Sequence, residues 1–119
     1  MSLLYQDPSM NHDKVNTLLA EGKETDVIAA LISIGLNEPD GAWAQNTCLH
    51  YLDSESENVA SAAITALGHV ARRHGQLELE KVLAAFEHAK ARFPSLEPVI
   101  SDTLEDVKLF TDVLPDKCP

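Results

Sequence analysis

Residues 54–75 read SESENVASAAITALGHVARRHG. Val59, Ala60, Ala62, Ala63, Ile64, Ala66, Leu67, Val70 and Ala71 cover most of a helical circumference, which predicts a central helix packed on several sides. Ser61, Thr65 and His69 recur every four residues and continue to Arg72 and Arg73, so they predict one narrow solvent-facing strip on an otherwise buried rod. That strip is the first place to look for function. Both ends carry helix signals. Ser56 is a candidate N-cap, with Glu57 at the positive end of the helix dipole. Arg72, Arg73 and His74 crowd the last turn, and Gly75 supplies the left-handed residue that stops it.

Working outward, 119 residues are the size of one domain, and a chain of this length buries roughly 65% of its unfolded surface. Aromatic residues make up only 5%, so leucine, alanine, isoleucine and valine must form the core. Close helix-to-helix packing suits such a core better than a β-sandwich, and no stretch alternates convincingly as a strand. The expected class is all-α. Nine Lys and Arg stand against 19 Asp and Glu, a net charge of -10. A surface this negative repels phosphate backbones and attracts basic partners, which argues against direct nucleic-acid binding. It also keeps a protein soluble, whatever its partners.

Cys48 and Cys118 are too few and too far apart for a disulfide framework or a zinc site; Cys48 is expected as a small core residue and Cys118 as free. The start, MSLLYQDPSM, lacks a basic region followed by an apolar run, and no apolar stretch approaches membrane-spanning length. The expectation is a cytoplasmic protein, away from membranes.

In chain order, an irregular arm ends near Pro8, Ser9 and Asn11. Val15, Leu18 and Leu19 predict a first helix over 12–21, closed by Gly22. Thr25 and Asp26 are candidate caps for a second, VIAALISIGL, at 27–36; Asn37, Pro39 and Gly41 break it. Asp40 is expected to cap a third helix that includes Trp43, Cys48, Leu49 and Leu52. After the central helix comes a fifth at 76–92, with Leu79, Val82, Leu83 and Phe86 on one face. Phe93 and Pro94 end it. Ser95 is the candidate cap of a sixth, in which Pro98 is tolerated in the first turn and Val99, Ile100, Leu104, Val107 and Phe110 continue to about 112. Residues 113–119 form a tail, docked or frayed.

Aligning Ile34-Gly35 with Leu67-Gly68 places Ala29-Ala30 over Ala62-Ala63. Three antiparallel helix pairs, at about 10–36, 40–74 and 77–112, then account for nearly the whole chain, each too small to hide its own apolar face. Ala63, Ala66, Leu67 and Gly68 resemble the Ala-x-x-Ala-Leu-Gly ending typical of the second helix of a HEAT repeat. The first repeat keeps part of that pattern and the third lacks its glycine. The resemblance implies a short α-solenoid of three stacked pairs; it does not by itself imply a function. The chain also resembles small acidic bacterial HEAT-like immunity proteins of contact-dependent growth inhibition and related polymorphic toxin systems. What that resemblance implies is a cytosolic antidote that covers the active site or cleft of a cognate toxin domain; the oligomeric state is left open, with a monomer favoured. Independently, the acidic charge suits a basic nuclease as partner, through electrostatic steering.

The candidate partner-binding residues follow. Ser61, Thr65, His69 and Arg72 line the strip of the central helix. The repeat alignment sets Asp102 and Asp106 beside Thr65 and His69, with Glu105 one position round, and puts Asp26, Ser33 and Asn37 on the other flank. The three carboxylates of the last helix either take up basic residues of a partner or merely solvate the open end of the stack. Asp53, Glu55 and Glu57 form a second acidic ridge, or serve as helix-start residues. Trp43 is either an exposed aromatic anchor or rim packing. His50, His74 and His88 lack metal-ligand spacing, and neither a Gly-rich phosphate loop nor a nucleophile with its base is evident. No catalytic residue, metal or cofactor is expected.

Overall fold

The computed structural model describes residues 12–111. They form α1 (His12–Glu21), α2 (Glu24–Asn37), α3 (Gly41–Leu52), α4 (Glu57–His74), α5 (Leu79–Arg92), a 3-10 turn (Pro94–Leu96) and α6 (Glu97–Thr111). The class is all-α, with no strand among the described residues. The N-terminal arm, the tail at 113–119 and Cys118 lie outside them.

Several ends follow local chemistry. Gly22 and Gly75 take φ of 76° and 69°, the left-handed region that a Cβ disfavours, and stop α1 and α4. The Asp40 carboxylate accepts from the Trp43 N–H at 3.0 Å, and the Ser56 hydroxyl accepts from the Val59 N–H at 3.2 Å, so each satisfies an orphan donor of its helix. Three expected boundaries differ. α2 begins at Glu24, which places Thr25 and Asp26 inside the helix; its flanking residue Lys23 makes no side-chain cap. Likewise α5 begins at Leu79, because Gln76 to Glu78 are used as a connection. Ser95 does not cap α6; it sits in the 3-10 turn and donates its hydroxyl to the Glu57 carboxylate.

α4 is the hub. α2 lies along one side of it, α6 along the other and α3 behind, while α1 rests on α2 and α5 packs against α3 and the 3-10 turn. Ala60, Ala63, Ile64, Ala66, Leu67, Val70 and Ala71 of α4 are fully buried, together with Leu31 of α2, Ala44 and Cys48 of α3, and Val82 and Phe86 of α5. Each large side chain among them contributes about 1.5–3 kcal/mol by leaving water. Burial pushes the Cys48 thiol up to about 12, so it behaves as a small apolar residue, as its sequence context predicts.

Small residues set how closely the helices approach. A Cβ on Gly35 of α2 would lie 3.0 Å from both the Cα and the carbonyl oxygen of Ala66. One on Gly68 of α4 would lie 3.2 Å from the Thr103 methyl of α6. The two glycines aligned in the sequence thus occupy equivalent joints, α2 onto α4 and α4 onto α6.

Candidate functional site

Gly35 directs one flank of α4 at α2 and Gly68 directs the other at α6, which leaves an open strip between them. Thr65 and Arg72 on this strip are exposed, and Ser61 and His69 are half-buried. The sequence strip therefore exists as a surface. The Arg72 guanidinium sits 3.8 Å from the Asp106 carboxylate and 5.5 Å from the centroid of the Phe110 ring. His69 is held below its ordinary pKa by burial first and by Arg72 second, against the opposing pull of Asp106. It is neutral at neutral pH, and its Cβ packs against Gly35.

The α6 carboxylates do not form one patch on this face. Asp102 and Asp106 lie one turn apart, about 40° round the axis, and share the edge towards α4. Glu105 is about 100° from Asp106 and turns outward, away from α4. All three are at least partly exposed. The α2 flank departs further from expectation. Ser33 is buried, and Asp26 and Asn37 are half-buried on the same side of the helix. The residues of α2 that border the open strip are instead Ile32 and Leu36, 41% and 46% exposed. By helical geometry Ile32 lies about 60° round from Gly35, whereas Ser33 lies about 160° round, on the far side. The open face is thus an apolar edge, a polar strip and an acidic edge carrying Phe110.

Sequence reasoning missed Ile32, Leu36 and Phe110. VIAALISIGL is apolar almost all round, so its periodicity does not say which side lacks a neighbour. Phe110 continues the apolar spacing of α6 yet is 39% exposed, since it lies beside Asp106 on the strip side.

The turn carboxylates occupy the other end of α4, about 22 Å along the axis from Arg72. Here the acids tie the chain together. The Arg92 guanidinium donates to the backbone oxygens of Asp53 and Ser54, at 3.0 and 3.1 Å, and pairs with the Asp53 carboxylate at 3.4 Å. His88 lies 3.2 Å from the same carboxylate. Glu57 accepts from Ser95, and the Ser56 hydroxyl donates to Glu24 at 2.7 Å, a bond that leads in lowering the Glu24 pKa. Glu55 is exposed. Glu57 lies one turn before Ser61, at the start of the α4 strip, with its carboxylate taken up by Ser95, whereas Asp53 and Glu55 lie in the turn before the helix.

Trp43 is half-buried against the core beside the α3 cap, an arrangement of rim packing. Near it, an open cleft is lined by Asn46, His74, Gln76, Leu77, Glu78 and Lys81. Its floor is already satisfied. The buried Gln45 amide donates to the Glu78 carboxylate at 2.7 Å and accepts from the Glu78 N–H at 2.6 Å. His74 donates through Nε2 to the Glu38 carbonyl at 3.0 Å, and Arg73 donates to the same oxygen at 2.9 Å, which fixes the α2–α3 connection to the end of α4.

Among the described residues no group of His, Cys, Asp and Glu is arranged to hold a metal ion, and no helix is long and apolar enough to cross a membrane. What the open face offers chemically is contact: apolar area, a ring and carboxylates. Comparison with family models, with curated proteins and with solved structures returns no match.

Proposed function

We propose that this chain is a protein-binding module of the immunity type, an antidote that docks on a basic toxin domain in the cytoplasm and covers its active site or cleft. The observation that carries the reading is the open face of α4, where Thr65, His69 and Arg72 lie between the apolar edge of Ile32 and Leu36 and the acidic edge of Asp102, Asp106 and Phe110. An apolar edge beside charge is the composition of a docking surface: the apolar part supplies contact energy, and the carboxylates steer and orient a basic partner. The net charge of -10 supports the same sign of partner. The reading assigns the chain no chemical step of its own. A HEAT-like stack of three helix pairs is part of this proposal, supported by the equivalent joints at Gly35 and Gly68.

The test is genetic. Where the neighbouring gene encodes a candidate toxin domain, cells expressing that domain are grown with the native chain and with the Asp102→Lys/Asp106→Lys variant. Rescue by the native chain and loss of rescue with the folded variant is the expected result. Rescue by both keeps the antidote and moves its interface. Rescue by neither overturns the antidote reading and leaves a scaffold or regulator of another cytosolic protein in its place.

A further inference from the structure

The open face carries one pairing whose chemistry is more specific than its charge. Arg72 reaches from the last turn of α4 so that its guanidinium lies over the Phe110 ring at 5.5 Å and beside the Asp106 carboxylate at 3.8 Å. A flat cation stacked on an aromatic face and flanked by a carboxylate is how arginine is recognised between proteins. An arginine can offer its flat face to a ring and its fork of N–H groups to a carboxylate, whereas an ammonium satisfies only the charge. All three groups remain accessible: Arg72 and Asp106 keep 50% and 39% of their side-chain surface, and Phe110 is 39% exposed.

We propose that Asp106 and Phe110 form a receptor for a single arginine side chain of a partner protein, and that Arg72 occupies it as an internal stand-in until the partner arrives. The inference rests on the protein-binding reading above and narrows it to one contact. Exchange is cheap because an exposed ion pair of this kind contributes little to the fold, so Arg72 leaves without unfolding α4 or α6. The exchange favours the incoming group for two reasons. The surrounding field is negative, with Asp102 one turn away and a net charge of -10, and the partner's arginine brings neighbouring residues that cover Ile32 and Leu36, which Arg72 cannot do. The Asp106 carboxylate already lies against α4, 3.8 Å from where a Cβ on Gly68 would be, beside the ring one turn on.

The probe is N-acetyl-arginine amide, titrated into the isotope-labelled chain and followed by NMR, with N-acetyl-lysine amide as the comparison. The native chain, Arg72→Ala, Arg72→Gln and Asp106→Asn are measured, Arg72→Gln retaining part of the stem that packs on α4. Emptying the receptor is expected to tighten arginine binding about two- to five-fold in both Arg72 variants, the scale of an exposed cation–π contact. The shifts are expected to centre on the Phe110 ring and its neighbours, to be weaker for lysine, and to vanish in Asp106→Asn. Equal binding in native and Arg72 variants, equal binding of arginine and lysine, or shifts spread over the whole acidic surface would each overturn the proposal. Those failures leave the antidote reading to the growth assay, and failed rescue in that assay leaves this receptor to the titration.

Discussion

α4 has two flanks, and each meets its neighbour through a glycine, but the glycines do different jobs. At the α2 flank, Gly35 faces the Ala66 backbone, with its missing Cβ 3.0 Å from two main-chain atoms and 3.1 Å from the His69 Cβ. At the α6 flank, Gly68 faces only the tip of a side chain, the Thr103 methyl at 3.2 Å, with the Asp106 carboxylate at 3.8 Å. Backbone cannot step aside without moving a helix, and a methyl can turn. The first joint is therefore rigid and the second yields, even though the sequence writes them alike.

Gly35→Ala is expected to give the largest effect. Overpacking against main chain outweighs the better helix propensity of alanine, for a net loss of about 1–2 kcal/mol in denaturant unfolding. In a Cys118→Ser background the same variant is expected to raise the labelling rate of buried Cys48 about ten-fold, as a destabilisation of this size raises the open population. Unchanged stability would show that the two joints are alike. Gly68→Ala comes next, within about 0.5 kcal/mol of the native chain, because the propensity gain offsets a small shift of Thr103. Adding Thr103→Ser removes the methyl and is expected to restore any loss that calorimetry detects in Gly68→Ala. No restoration would mean that the strain at this joint lies elsewhere.

The smallest effect sharpens the comparison at His69, which packs against the α2 joint and feels the charge of Asp106 beside the α6 joint. Its folded pKa lies below the ordinary 6.5, so as pH falls through that value the unfolded chain takes up the proton first. Stability is fully present above about pH 6.5 and is lost progressively as pH falls towards the folded pKa. His69→Gln is expected to flatten that part of the stability–pH curve in urea titrations. An unaltered curve would remove burial at the α2 joint as the cause.

Helix number and most helix ends were legible because their causes are local: Asp40 and Ser56 cap within three residues, Gly22 and Gly75 need only their own φ, and α4 announces itself by apolar residues all round. The polar strip was legible for the same reason, since a few hydroxyls and charges stand out on a buried rod. Ile32 and Leu36 were not, because their exposure depends on which neighbour is missing, and an all-apolar helix carries no record of that. Asp53 and Glu57 were open to two readings until Arg92, His88 and Ser95, more than thirty residues away, were seen to hold them. Carboxylates at a turn look the same whether a partner or the chain's own next helix claims them.

Gly35 and Gly68 stand 33 residues apart, and one further step of that length falls on Ser101, whose side chain is exposed on α6. A helix arriving there would meet a Cβ and a hydroxyl where the two earlier joints present bare backbone. At the same register, a helix laid on that side of α6 would sit further out than α2 sits from α4, held off by a side chain where the glycines let backbone approach backbone.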